Sequence, residues 1–236
     1  MPIQIILKKQ PDGAPIDPRV VAYYNKSSSI AEQYWSIANQ LMSWNSGGQA
    51  VRLILLTSAN RAEGKTVTCA NIAVTLAEDK QKNILLINAD MRFPQLERLF
   101  GVNAEKGLVD YLKGAGELEQ IVQATAIPNL WIVPAGAATP QASELISAQK
   151  LKDALAVLKK RFHFCLIDTP ACIPFSDARM LFPAVDGIVL AVRAGKTRRE
   201  VVWRMQEQLR GAPGKALGVV LTNVEYYIPE YIHRHL

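Results

Sequence analysis

The stretch with the strongest chemical content in this 236-residue chain is Thr57-Ser58-Ala59-Asn60-Arg61-Ala62-Glu63-Gly64-Lys65-Thr66-Val67. It follows the apolar run Val51-Arg52-Leu53-Ile54-Leu55-Leu56 and precedes a helical pattern carrying Val67, Ile72, Ala73 and Leu76. Glycine, lysine and a hydroxyl residue at a strand-to-helix turn suit the capture of phosphate oxygens. Gly64 permits close backbone approach, and the amides around Gly64–Val67, at a helix N-terminus, point at anions. Lys65 is placed to reach β- and γ-phosphates, and the Thr66 hydroxyl is a ligand for Mg²⁺, which prefers oxygen. Asn60, Arg61, Ala62, Glu63, Gly64, Lys65, Thr66 and Val67 are therefore the expected phosphate-binding residues. Position 59, where the usual pattern begins with Gly, holds Ala. A bare Gly-Lys-Thr is common by chance, so the setting between strand and helix gives it weight. An ordinary βα turn capped by Thr66 is the plain alternative.

Two more apolar runs end in acids. Ile84-Leu85-Leu86-Ile87 leads into Asn88-Ala89-Asp90-Met91-Arg92, and Phe164-Cys165-Leu166-Ile167 leads into Asp168-Thr169-Pro170. An Asp after an apolar strand holds Mg²⁺ directly or through water. Singly, Asp90 or Asp168 could be a helix cap or turn residue. Together with Lys65 and Thr66 they place three strand ends at one sheet edge.

The elements that must carry these residues alternate strand and helix. Further apolar runs lie at 130–133, 187–192 and 217–221, with helical patterns at 148–160, 176–183 and 197–210. Runs rich in Ile, Leu and Val that do not alternate with polar residues fit strands buried on both faces. The expected fold is α/β: a doubly wound, mostly parallel sheet with helices on both faces and the ligand at the carboxyl ends of the strands. Ser29-Ile30-Ala31-Glu32 and Thr197-Arg198-Arg199-Glu200 read as capping boxes. After the first, Ile30, Tyr34, Ile37 and Leu41 recur at helical spacing until Asn45-Ser46-Gly47-Gly48. Residues 1–28, with a possible edge strand at IQIILKK and then Pro11, Gly13, Pro15 and Pro18, read as a peripheral arm. The resulting division is an arm (1–28), a phosphate-loop domain (29–223) and a short tail (224–236).

Composition excludes several classes. Hydrophobic residues make up 49% and charged residues 20%, an ordinary globular balance that argues against disorder. No run of 18 apolar residues exists, and MPIQIILKK does not read as a secretory signal. The odd set Cys69, Cys165 and Cys172 lacks metal-type spacing and reads as reduced thiols. The net charge of +6 gathers at Lys159-Lys160-Arg161 and over 193–210. That charge would suit an anionic surface, but solvated helix faces explain it as well. No basic stripe is interleaved with aromatics, which argues against nucleic acid.

The stretches EGKTVTCANIAVTLA, ILLINADMRFPQLERLFGV, KGLVDYL, PNLWIVPAGAATPQASELI, FHFCLIDTPACIPFSDA and DGIVLAVRAGKTRREV resemble the bacterial tyrosine kinases of capsule and exopolysaccharide export, a branch of the MinD/ParA-type P-loop proteins. The resemblance runs from about Pro18 to Asn223. It implies ATP/ADP and Mg²⁺ binding, phosphoryl transfer to tyrosines near a C-terminal end of the same or a neighbouring subunit, and homo-oligomers. It also implies a membrane-embedded polysaccharide co-polymerase as activator, and a cytoplasmic location at the inner face of the membrane through that partner. Lys65 and Thr66 match the family's Walker A pair, Asp90 and Arg92 the second half of Walker A-prime, and Asp168 the Walker B acid. Catalytic roles are thus expected for Lys65, Asp90, Arg92 and Asp168, and metal binding for Thr66, Asp90 and Asp168.

Four departures accompany the match. Asn88 stands where the family has the leading acid of Walker A-prime, and loss of general-base help typically costs about 10²–10⁴-fold. Trp35 and Ala38 replace two Arg that make subunit contacts in the family, so the familiar ring is not implied. Tyr226, Tyr227 and Tyr231, the possible phosphoacceptors, stand in place of a longer tyrosine cluster. An adenine-contacting Asn aligns near Thr222, with Asn223 one place on. Three readings follow: an autokinase, a nucleotide-binding regulatory partner of the export machinery weakened at Asn88, and a MinD/ParA-like ATPase switch. The last group carries an early loop lysine where this chain has Asn60.

Overall fold

A computed structural model describes residues 16–46, 49–147, 149–210 and 215–224. The described residues open with a single helical turn, α1 (Val21–Tyr24), then α2 (Ser29–Ser43) and a small hairpin of β1 (Asn45–Ser46) and β2 (Gln49–Ala50). The alternating part runs β3 (Leu53–Ser58), α3 (Lys65–Ala77), β4 (Ile84–Asn88) and three short helices, α4 (Leu96–Leu99), α5 (Leu108–Leu112) and α6 (Leu118–Ile121). It continues with β5 (Gln123–Ala124), β6 (Leu130–Val133), α7 (Ala142–Ser147), α8 (Gln149–Arg161) and β7 (Phe164–Asp168). Then come α9 (Asp177–Leu181) with a 3-10 turn at Phe182–Ala184, β8 (Gly187–Arg193), α10 (Arg199–Arg210) and β9 (Lys215–Thr222).

The seven-stranded sheet has the order β5-β6-β4-β7-β3-β8-β9 and is parallel except for β5, which runs antiparallel to β6. Its six parallel strands are the six apolar runs. Each run lacks polar alternation because successive side chains enter two separate cores, except in the edge strand β9, where Val219 and Leu221 are exposed. Leu53, Leu55, Leu85, Ile87, Cys165 and Ile167 face the layer of α5–α10. Ile54, Leu56, Ile84, Leu86, Phe164 and Leu166 face the layer of α2, α3 and α4. Each such fully buried aliphatic side chain contributes roughly 1.5–3 kcal/mol. The doubly wound fold read from the sequence is the fold observed.

α3 is the central helix. Nine of its residues are buried, so it lacks the polar face of a surface helix. Asn71 on it binds α1 and the segment before it: its Oδ1 accepts from Ala22 N at 2.9 Å and its Nδ2 donates to Arg19 O at 3.0 Å. That segment was expected to be peripheral, but Ile16, Val20 and Ala22 are buried in the α3 core. The first capping residue is Ser28 rather than Ser29. Its side chain accepts from Ala31 N at 3.1 Å, and α2 ends at Ser43. All three cysteines are buried and unpaired. Among the described residues no helix is long and apolar enough to cross a membrane. IQIILKK, Pro11, Gly13 and Pro15 lie outside the described residues, as does the tyrosine tail from 225 onward.

Register brings the chemistry to one edge. In β4–β7 pairing Asn88 stands opposite Asp168, and in β3–β7 pairing Leu56 stands opposite Asp168. The phosphate loop leaves β3 two residues later. Lys65, Asp90 and Asp168 therefore start from adjacent strand tips before any side chain is considered.

Candidate active site

The loop between β3 and α3 is set by its backbone. Ala62 has φ 60° and Gly64 φ 82°, both left-handed. Such a conformation in Ala costs of order 1–3 kcal/mol and persists only where neighbours impose it. The neighbours are visible. Glu63, buried, accepts from Asn60 N (3.0 Å), Asn60 Nδ2 (3.3 Å) and the Thr197 hydroxyl (2.6 Å). The Thr222 hydroxyl donates to Glu63 O at 2.7 Å. Thr197 thus fastens α10 to the loop instead of opening a capping box; α10 begins two residues later. Asn60 and Glu63 hold the loop's shape, and Arg61, Ala62, Glu63, Gly64, Lys65, Thr66 and Val67 line a cleft of about 300 Å³.

At the floor, Lys65 Nζ lies 3.1 Å from Asp90 Oδ2, 3.8 Å from Asp168 Oδ1 and 3.3 Å from Thr66 Oγ1. The Thr66 hydroxyl donates to Asp168 Oδ2 at 2.8 Å. Asp90 Oδ1 accepts from Phe93 N at 3.1 Å, which fixes its carboxylate. Asp168 is 1% exposed, and burial pushes its carboxyl up to about 6. Burial pulls the Lys65 ammonium down, but Asp168 and Asp90 outweigh this and leave it above its ordinary value. The cluster is therefore a cation clasped by two acids at the mouth of a helix.

Asp168 Oδ1 is buried without a hydrogen-bond partner among the described residues. An orphaned carboxylate oxygen beside a hydroxyl and a second carboxylate fits a hard divalent cation. Mg²⁺ takes one or two carboxylates and fills its remaining positions with water and phosphate oxygens. The donor set Thr66, Asp90 and Asp168 passes that test on chemistry.

Other expected residues stand elsewhere. Arg92 does not join Lys65. Its Nε donates to Asp177 Oδ2 at 2.5 Å, its NH2 group to Ser143 Oγ at 2.7 Å, and its guanidinium lies 4.9 Å from the Phe175 ring centre. Asn223 is exposed with φ 54°, one residue past the strand that touches the loop, and is not among the residues lining the cleft. Tyr226, Tyr227 and Tyr231 lie outside the described residues.

Three residues of consequence carried no readable signal. Arg19 lines the cleft from the segment before α1. Phe93 lines it too, with the Arg61 guanidinium 3.7 Å over its ring, although only its neighbours Asp90 and Arg92 stand out in the motif. Glu97 on α4 is 4% exposed and receives the Asn88 amide at 2.5 Å.

A family model described as an AAA domain matches residues 52–197, more than half of the chain. Tyrosine-protein kinase YwqD of Bacillus subtilis is 31% identical over 209 residues, covering 89% of this chain and 87% of its own length. The crystal structure of the chimerical protein CapA2B2 superposes with a TM-score of 0.83 at 25% identity, covering 94% of this chain and 97% of that one. The septum site-determining protein MinD complexed with Mg-ADP, from Pyrococcus horikoshii, gives a TM-score of 0.63 at 26% identity, over 78% of this chain and 76% of its own.

Proposed function

The chain belongs to the bacterial tyrosine-protein kinases, and on that footing we propose that it binds ATP at the Gly64–Val67 helix mouth and transfers the γ-phosphoryl group to tyrosine hydroxyls in exopolysaccharide export. The observation that carries this is the Asp168 carboxylate, which gives one oxygen to Thr66 and leaves the other buried and unpartnered, 3.8 Å from Lys65.

In this reading Lys65 turns from Asp90 and Asp168 toward the phosphates, and the α3 amides receive their oxygens. Thr66, Asp90 and Asp168 hold Mg²⁺, which when bound offsets phosphate charge. Asp168 and Asp90, the carboxylates at the cleft floor, also serve in this reading as acceptors for the phenol proton. Phosphoryl transfer asks the protein mainly for positioning and charge neutralisation, which these residues provide. Arg92 contributes as a brace on Asp177. The tyrosines at 226, 227 and 231, on the same or a neighbouring copy, are the proposed acceptors. A membrane-embedded co-polymerase is the proposed activator, which would hold the chain at the inner face of the membrane. The domain limit of 223 is proposed on the same basis, whereas residues 16–28, packed on α3, are proposed as part of the domain rather than of an arm.

A second reading keeps nucleotide binding but little transfer. It rests on Asn88, which cannot take up a proton and is held by Glu97.

Incubation with Mg-ATP should give phosphotyrosine in the wild type and none in Lys65→Met, with melting curves showing both folded. No phosphotyrosine in the wild type, even with a co-polymerase cytoplasmic segment present, would defeat the kinase reading and leave the second one standing.

A further inference from the structure

Glu97 is a buried carboxylate outside the cluster of Lys65, Asp90 and Asp168. It sits on α4 at 4% exposure, and among the described residues no lysine, arginine or histidine pairs with it. An unpaired buried anion costs several kcal/mol unless it is strongly hydrogen-bonded. Its side-chain partner is the Asn88 amide, whose Nδ2 donates to Glu97 Oε2 at 2.5 Å. The other side of the same amide, Oδ1, accepts the Asp90 N–H at 3.0 Å. The two bonds fix the amide one way round, since the flipped form would set oxygen against carboxylate and NH₂ against N–H.

The chain of contacts continues into the site. Asp90 contacts Lys65, and Asn88 stands opposite Asp168 in the sheet. Glu97 also belongs to the charges acting on Asp168. The carboxylate thus reaches the floor of the cleft through one amide.

We infer that Glu97 and Asn88 form one positioning unit for the transfer step, Glu97 holding the amide and the amide holding Asp90 against Lys65, and that the unit accepts a single carboxylate. Asn88 is then more than a missing acid. An acid at 88 would meet Glu97 oxygen to oxygen at the distance now bridged by a hydrogen bond, and like charges so close are strongly unfavourable. Adding Glu97→Gln to Asn88→Asp reverses the polarity of the pair. The amide at position 97 then donates to one oxygen of the carboxylate at position 88, whose other oxygen keeps the Asp90 N–H.

The inference rests on the kinase reading, and the test separates the two. Wild type, Glu97→Gln, Asn88→Asp and the double variant Asn88→Asp/Glu97→Gln are compared by phosphotyrosine formation with Mg-ATP, alongside melting curves. Glu97→Gln keeps an acceptor oxygen for the Asn88 amide but loses the charge, so it should lower kcat by about 5- to 10-fold, with KM for ATP nearly unchanged. Asn88→Asp should also lose activity. The double variant should recover to the wild-type rate or above it, which a merely structural contact would not produce. If Asn88→Asp does not fold, the double variant against Glu97→Gln decides alone. Wild-type kcat in Glu97→Gln, or no recovery in the double variant, overturns the inference. A wild type without transfer sinks the kinase reading itself.

Discussion

Thr222 and Glu63, 159 residues apart, are joined by a 2.7 Å bond from the Thr222 hydroxyl to the Glu63 carbonyl. The bond ties the last strand of the sheet to the residue before the helix mouth. With Asn60 and Thr197 on the Glu63 carboxylate, the phosphate loop is fastened before any ligand arrives. Such preformed amide cradles bind anions without the cost of ordering the loop.

Gly64 is the point where this fastening leaves no room. A Cβ there would lie 3.2 Å from Thr222 Cβ and Oγ1, on a residue with φ 82°. Gly64→Ala should cost about 1–3 kcal/mol in stability through backbone strain. It should also weaken ATP binding at least tenfold, because the loop must move off Thr222. Thermal melting and nucleotide titration read the two effects. Tight binding with an unchanged melting temperature would show that the loop is not held as described.

Arg92 and Lys65 should part company under mutation. Asp177 is fully buried and depends on Arg92 and Ser143. Removing one partner of a buried ion pair typically costs about 3–5 kcal/mol, and Ser143 keeps Arg92→Ala near the lower end. The prediction is a melting temperature lower by several degrees, with ATP affinity of the folded protein nearly unchanged. A large loss of affinity at normal stability would return Arg92 to the phosphate site.

Asp186 governs the acid side of stability at the other end of the sheet. Its Oδ2 accepts from Arg52 N (3.0 Å) and Leu53 N (2.9 Å), and its Oδ1 meets Lys159 Nζ at 2.5 Å. Burial alone would raise its carboxyl, but Lys159 and the two backbone donors hold it below the ordinary range. A depressed folded value means that the contribution is complete above the unfolded value near 4 and fades as pH falls through the folded one. Asp186→Ala should therefore cost about 1–3 kcal/mol at pH 7, and the gap to wild type should close below about pH 4. Urea unfolding at pH 3 to 7 measures it; a gap independent of pH would refute the assignment.

What the sequence displayed were features written in consecutive residues. The six parallel strands were visible because each is an apolar run, five of them filling two cores and β9 only partly covered at the sheet edge, and Gly64-Lys65-Thr66 because strand and helix flank it. α4, α5 and α6 are too short for a 3.6-residue period to register, and β5 has two residues. Ser28 and Ser29 are equally good caps on paper, and only backbone geometry chose the first. Arg92 shares a motif with Asp90 yet turns to Asp177, because a motif gives order along the chain and not direction in space. Glu63–Thr197, Asn71–Ala22 and Asn88–Glu97 are tertiary contacts with no local pattern.

The two helix positions that depart from the family differ in kind. Trp35 is 61% exposed, whereas Ala38 is 1% exposed and packed with Leu41 in the core that α2 shares with α3. An arginine at 38 would bring its guanidinium into that apolar core. Ala38→Arg should lose about 3–5 kcal/mol, the range for an uncompensated buried charge. At roughly 2–4 °C per kcal/mol for a chain this size, melting should fall by about 10 °C. Trp35→Arg should change stability by less than about 0.5 kcal/mol, as surface substitutions do. Arginine at both positions would then unfold the helix face before it could make subunit contacts. Light scattering and melting of the two single variants and the double decide this. A stable Ala38→Arg chain of larger assembled mass would show that α2 can turn this face outward.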